Sequence, residues 1–245
     1  MIVSHARKFI FLKTHKTAGT SLEIALSKYC GPEDILTPIA SDEGIRREIA
    51  GIGAQNYGRP ISQYGPGHYY ARFIRREIPA AYTEHMRAVD ARERLGEKVW
   101  NAYFKFTIVR NPFDRILSRY HWTMKTRPHL AARWGVTDLG SFIRYRADYV
   151  NENWLTYTSG DRLLVDDTVR YEHREEDLAR ISERIGLDHN LHEDMSRINA
   201  KGSFRPKAER SESLLGPGEI ALVRGLCAAE IARFGYEPMG ARSAA

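Results

Sequence analysis

Residues Lys8 to Ser21, KFIFLKTHKTAGTS, combine the ingredients of an anion site. The apolar run Phe9-Ile10-Phe11-Leu12 predicts a buried strand, and a turn rich in Lys, Thr and Gly follows it. A helix then begins, with apolar Leu22, Ala25, Leu26 and Tyr29 at i, i+3, i+4 and i+7. In such a strand–loop–helix unit the loop N–H groups and the positive end of the helix dipole face the anion, and Lys16 adds a full charge. An ordinary βα turn draws on the same residue types, so this segment alone leaves both readings open. It differs from the nucleotide-triphosphate loop, which ends in Gly-Lys-Ser/Thr with its lysine at the helix start. Here Lys16 comes early, before Thr17, Ala18, Gly19, Thr20 and Ser21.

A second segment has matching chemistry. Phe106 to Val109 predicts another buried strand, and Arg110-Asn111-Pro112-Phe113-Asp114-Arg115 follows it. Asn111 suits a helix N-cap, Pro112 the first helical position and Asp114 the third. Arg110 then stands at the carboxyl end of a strand, just outside a helix N-terminus, the edge at which open α/β sheets bind ligands. A guanidinium there can grip a phosphate bidentately. A capped helix with solvated arginines is the alternative when this segment is taken by itself.

Histidine is the residue type suited to remove a hydroxyl proton near neutral pH. Among nine histidines, His68 stands out in Tyr64-Gly-Pro-Gly-His-Tyr-Tyr: glycines precede it and a helix is predicted after it. His15, next to Lys16, is its rival. His189 and His192 lie near Glu193 and Asp194 with the i, i+3 spacing of metal ligands, but acidic, His-bearing helix surfaces are far commoner, and no metal is expected.

Residues 16–21, Lys-Thr-Ala-Gly-Thr-Ser, resemble the 5′-phosphosulfate loop of sulfotransferases that use 3′-phosphoadenosine 5′-phosphosulfate (PAPS). Val109 to Tyr120 resembles the 3′-phosphate segment of the same family. There an Arg ending the strand and a Ser eight positions later hold the 3′-phosphate, the spacing of Arg110 and Ser118. His68 resembles the Gly-His that supplies the base in carbohydrate sulfotransferases of the 2-O type. Most family loops carry Pro where this chain has His15, which leaves both histidines open as the base. The late basic loop Lys201-Gly-Ser203-Phe-Arg205 resembles the loop that closes over the cofactor.

The resemblance implies a three-layer α/β fold, a mostly parallel central sheet flanked by helices, as in the P-loop nucleotide-binding sulfotransferases. It implies transfer of a sulfuryl group from PAPS to a hydroxyl, expected on a carbohydrate or glycolipid. Lys16 would stabilise the leaving phosphate and His68 would act as general base. Lys16, Thr17, Ala18, Gly19, Thr20, Ser21, Arg110, Ser118, Lys201, Ser203 and Arg205 would bind the cofactor. Nucleic acid is not an expected partner.

The elements that must position these residues are partly legible. Glu43 to Ala50 predicts a short helix, and residues 71–99 read as helical in pieces, interrupted at Pro79. Leu163 to Val165 and Val169 to Tyr171 are short strand candidates. Leu178, Ile181 and Ile185 mark a helix that stops at Gly186. One last helix, starting near Pro217, is expected to bury Ile220, Val223, Cys227, Ile231 and Phe234 and to stop at Gly235. Arg170 and Glu172 are candidates for a structural ion pair. Trp122, Tyr120, Trp134 and Trp154 are candidate sugar-stacking faces, with core packing expected for at least two. Alternating strands and helices imply a parallel sheet with helices on both faces.

At 245 residues, with no shift of composition along the chain, a single domain over 1–245 is expected. The net charge of +6 favours anionic ligands without choosing among nucleotide, acidic glycan, nucleic acid and membrane surface. Two cysteines make no disulfide framework and suit a reducing compartment; with no apolar leader and no run of about 18–20 apolar residues, a cytoplasmic location is expected. Two other classes remain: a nucleotide kinase or triphosphatase, which would need Mg²⁺ and a lysine at the helix start, and a non-catalytic binder of acidic glycan or nucleic acid. The residues by themselves establish an anion-binding α/β protein.

Overall fold

The computed structural model describes residues 1–39, 42–198 and 215–238. Seven strands follow in chain order: β1 (Ile2–Ser4), β2 (Phe9–Leu12), β3 (Ile35–Leu36), β4 (Phe104–Val109), β5 (Thr158–Ser159), β6 (Arg162–Leu163) and β7 (Asp167–Arg170). Five build the central sheet in the order β3-β1-β2-β4-β7. Strands β2, β4 and β7 are parallel, with Phe11 opposite Phe106 and Val109 opposite Arg170. β1 and β3 extend the sheet antiparallel, and β5 with β6 makes a separate two-stranded ribbon. The parallel core is the expected one. Its three carboxyl ends share one edge, so Lys13, Arg110 and Tyr171 begin their loops side by side.

Both faces of the sheet are covered, which is why β2 is apolar throughout rather than alternating. Phe9, Phe11, Phe106, Ile108 and Val169 pack on one face against helices α1 (Gly19–Ser27), α9 (Arg174–Arg184) and α10 (Leu191–Ser196) through Leu22, Leu26, Leu178, Ile181 and Leu191. Ile10, Leu12 and Val109 pack on the other against Trp100, Trp154 and Tyr157. These come from α4 (Ala88–Ala102) and α8 (Ala147–Tyr157). A third cluster, around Phe113, Ile116, Phe142 and Val223, joins α5 (Pro112–Thr126), α6 (Pro128–Arg133), α7 (Leu139–Tyr145), α8 and α11 (Pro217–Leu226).

α2 (Glu43–Ala50) has the expected bounds, and α9 ends before Gly186 as its apolar spacing implies. Helix α1 stops at Ser27, short of Tyr29. The stretch 71–99 is rearranged. α3 (Pro66–Tyr69) runs into a wider turn at Tyr70–Ile74, residues 79–87 are irregular, and α4 kinks at Gly96, whose φ of 77° is left-handed. The last helix is two: α11 ends at Leu226, and α12 (Ala228–Phe234) restarts after Cys227, where φ is −111°. Val223, Cys227 and Ile231 keep helical spacing across the break, so their periodicity conceals it. Gly235 closes α12 with φ 66°, as expected. Residues 127–157, unassigned from sequence, form helices α6 to α8. Arg170 does not pair with Glu172. It grips Asp177 through Nε (2.9 Å) and Nη2 (3.0 Å), while Glu172 accepts from the backbone N–H of Asn111 (2.7 Å).

Among the described residues no helix is long and apolar enough to cross a membrane.

Candidate functional site

The loop between β2 and α1 is held from three sides. Lys13, almost fully buried, turns inward to Glu23 (2.9 Å) and Glu84 (2.5 Å). Burial opposes the charge on Glu23, yet Lys13 and the amino-terminal ammonium hold its carboxyl well below the usual range. Asn153 of α8 brackets His15, accepting from its N–H and donating to its carbonyl, both at 2.8 Å. Arg110 Nη1 donates to the carbonyl of Lys16 (2.9 Å). The backbone in between is sharply turned: Lys16 and Ala18 have φ of 60° and 63°. Gly19 lies at a close approach where the loop meets the helix: a Cβ there would stand 3.0 Å from Lys13 Cγ and 3.4 Å from the carbonyl oxygen of Thr14, so a larger residue would require Lys13 to shift.

α1 starts at Gly19 with no side chain capping its N-terminus, which leaves the positive end of its dipole to the loop. Thr17 is fully buried and its hydroxyl meets that of Thr14 at 3.0 Å, so its side chain holds the turn. The hydroxyl of Ser21 donates to the carbonyl of Ile198 (3.4 Å). Thr20 is buried and Ser21 half-buried. The Lys16 ammonium lies 5.4 Å from the ring centroid of Trp122, one turn beyond Ser118 on α5.

Arg110 occupies its expected place at the end of β4. Its Nε donates to Asp114 (2.7 Å), its Nη2 pairs with the same carboxylate, and the guanidinium lies 4.2 Å from the Tyr171 ring centroid at the end of β7. Asn111 caps α5 by accepting from Phe113 N (3.0 Å), and Pro112 opens the helix. The structure therefore joins the two candidate anion-binding segments, 94 residues apart, through one hydrogen bond.

The acid–base side departs more from the sequence. His15 stacks on His85, with ring centroids 3.5 Å apart. Nδ1 of His85 meets the carbonyl of Lys13 (3.1 Å) and must donate to it, so the neutral ring keeps its lone pair on Nε2. Nδ1 of His15 faces Arg119 Nη1 (3.4 Å), a donor without a lone pair, which leaves its proton on Nε2 toward Glu152 (3.7 Å). Burial, then the charge of Lys13, pushes the His85 imidazolium down to about 4; burial, then His85, pushes that of His15 down to about 2. Both rings are neutral at physiological pH.

His68 lies in an arm, residues 61–78, that leaves the body between Gly58 and Ala80. Its Nδ1 accepts from Gly65 N (3.0 Å) and its ring leans on Tyr64, both in the same arm. Sequence reasoning missed His85, Glu84, Asn153, Arg119 and Glu152. Glu84, His85, Glu152 and Asn153 come from distant segments in which no motif was recognised, while Arg119 lies within the segment from Val109 to Tyr120, where the motif drew attention to Arg110 and Ser118 instead. Of the aromatic candidates, Trp154 is a core residue, while Trp122 stands beside Lys16 and Arg119. Lys201, Ser203 and Arg205 lie outside the described residues. His189 faces Tyr29 and Asp194, and His192 faces Ser196, so the two share no ligand position.

An open α/β sheet with a sharply turned loop and uncapped helix after one strand, and an arginine after its parallel neighbour, places its candidate site at the carboxyl edge where such sheets bind ligands. A family model described as the Sulfotransferase family matches residues 1–236, and the chain belongs to that family. A similar relative is an uncharacterized protein of Archaeoglobus fulgidus, 28% identical over 108 residues, which are 41% of this chain and 82% of the relative. No solved structure matches the chain.

Proposed function

We propose that this sulfotransferase moves the sulfuryl group of PAPS to a hydroxyl, with a carbohydrate or glycolipid as acceptor. One observation carries the reading: Arg110 donates to the backbone of Lys16, so the groups suited to a 3′-phosphate and to a 5′-phosphosulfate lie at one edge of the sheet. That donor set fits a nucleotide charged at both ends: a fork at the strand end, an uncapped helix N-terminus and a lysine between them. Arg110 and Ser118 hold the 3′-phosphate and the loop from Lys16 to Ser21 the 5′ end, with Lys201, Ser203 and Arg205, outside the described residues, as the further cofactor contacts that the family resemblance implies. PAPS, when bound, supplies a sulfur that in-line attack can reach. In-line displacement at that sulfur would exchange the phosphate oxygen for the acceptor oxygen. Lys16 stabilises charge on the departing oxygen, and a histidine takes the acceptor's proton.

His68 is the base that the family resemblance favours. A second reading has a specific observation behind it: His85 abuts the loop, is neutral, and has its Nε2 lone pair fixed by the bond from Nδ1 to Lys13. Replacing each histidine by alanine separates them, since only loss of the base abolishes turnover while cofactor affinity persists. The function itself is tested by thermal stabilisation with adenosine 3′,5′-bisphosphate, ATP–Mg²⁺ and sulfate. Preferential stabilisation by the bisphosphate is expected; a response to ATP–Mg²⁺ alone would point to a kinase, and none beyond sulfate to a simple anion binder.

A further inference from the structure

The arm 61–78 presents the densest apolar surface among the described residues. Ile61, Tyr69, Tyr70, Phe73, Ile74 and Ile78 are six of the nine large hydrophobic residues exposed there, Phe73 at 63% and Ile74 at 67%. None of them belongs to the three core clusters. Their rings pack on each other instead: Tyr64 against Tyr69 at 5.4 Å and Tyr69 against Phe73 at 6.2 Å between centroids. The base of the arm is pinned. Arg59 N donates to the carbonyl of Pro79 (2.7 Å), Ala81 N to that of Tyr57 (2.8 Å), and Pro79 is buried.

Within the arm, Tyr69, Tyr70, Phe73 and Ile74 recur at i, i+1, i+4 and i+5, which gives one apolar helical face. Arg72, Arg75 and Arg76 flank that face, all exposed, and only Glu77 offsets them, 4.0 Å from Arg75. A second copy docked through this surface would set arginines against arginines. An anionic bilayer surface complements both parts: rings and isoleucines enter the boundary between headgroups and acyl chains, while arginines extend to lipid phosphates.

We propose that residues 61–78 dock this protein onto an anionic membrane surface. The chain returning from the arm leads through irregular residues 79–83 into Glu84 and His85 at the loop, so docking sets the candidate site close to the bilayer. The proposal is independent of the reaction catalysed.

The test is flotation of the full chain with vesicles of phosphatidylcholine plus phosphatidylglycerol, against vesicles of phosphatidylcholine alone. Each arginine near an anionic surface is worth about fivefold in partitioning. The wild type should float with the anionic vesicles, on the order of 100-fold more strongly than with neutral ones, and less so in high salt. Tyr70→Ser, Phe73→Ser and Ile74→Ser together should lower that binding by tenfold or more, roughly the loss of their buried apolar area, with an unchanged melting temperature. Failure of the wild type to float with anionic vesicles overturns the proposal whatever the variants do. So does a dimer in sedimentation equilibrium that the same substitutions dissociate, which would assign the arm to a second copy.

Discussion

Removal of the Arg110 guanidinium should be felt by one phosphate of the nucleotide and not the other. The side chain is largely buried, with only 13% of its surface exposed, and it is fixed by Asp114, Tyr171 and the Lys16 carbonyl. A hydrogen bond to a charged group in such a setting contributes about 1.5–3 kcal/mol, and the pre-set fork favours the upper half of that range. Arg110→Ala should therefore weaken adenosine 3′,5′-bisphosphate by roughly 40- to 150-fold. The substitution also frees Asp114 and loosens the Lys16 backbone, which would weaken any ligand. Titration calorimetry with the bisphosphate and with adenosine 5′-monophosphate, on wild type and variant, removes that shared part. The ratio of the two affinities should collapse in Arg110→Ala and recover only partly in Arg110→Lys, which restores charge without the fork. An equal loss for both ligands would show that Arg110 braces the loop and does not touch the 3′-phosphate.

The other expectations concern neighbouring groups. Lys16→Ala should lower kcat by on the order of 10² to 10³, the cost of removing one charge-stabilising donor, and leave the melting temperature in place; a loss confined to KM would refute its role at the leaving oxygen. If His85 is the base, the acid limb of kcat/KM should fall near pH 4, where its free-enzyme imidazole titrates, and a limb at the ordinary histidine value near 6.5 would exclude it. The same shift predicts stability. The folded pKa values of His85 and His15 lie below the unfolded one, so the unfolded chain binds more protons as pH drops from about 6.5 toward 4. Urea midpoints should be level above that window and decline through it, less steeply in His85→Gln. Glu230, fully buried, holds Arg115 at 2.7 and 3.2 Å and accepts from Tyr157. Glu230→Gln strips the counter-charge from a buried guanidinium, at about 3–5 kcal/mol, and should lower Tm by on the order of 10 °C; a drop below about 3 °C would refute that account.

The strand–loop–helix geometry that we propose for the cofactor was legible because it is written in consecutive residues. Strand, loop and helix start lie within Lys8 to Ser21, and Asn111 with Pro112 announces a helix whose N-terminus sits beside Arg110. The acceptor side is written across the chain. His85, Asn153 and Arg119 converge on His15 from sequence distances of 70 to 138 residues; no local pattern distinguishes the first two, and the motif around the third pointed to Arg110 and Ser118. Within the same loop the sequence singled out Lys16 but gave no role to Lys13. Glu23 and Glu84 decide that Lys13 turns inward, and the second of them arrives from 71 residues away. Short antiparallel strands were illegible for another reason: β1 and β3, at three and two residues, are too brief to show a period.

The early position of the lysine follows from how the loop is fixed. Side-chain contacts from three other parts of the chain reach residues 13, 15 and 16 in succession: Glu84 meets the ammonium of Lys13, Asn153 brackets the backbone of His15, and Arg110 holds the carbonyl of Lys16. Left-handed backbone at Lys16 and Ala18 costs on the order of 1–3 kcal/mol each, and such conformations persist only where surrounding contacts over-determine them. Here those contacts come from segments on both sides of the loop. A lysine placed at the helix start, as in triphosphate loops, would lie beyond the last of these anchors. Placed at position 16 it sits among them, with its backbone tied to the arginine of the second segment and its ammonium beside Trp122, on the same face of α5 as Ser118. The charge that we propose for a departing oxygen is thus placed before any ligand arrives, which is the condition under which electrostatic stabilisation requires no reorganisation during the reaction.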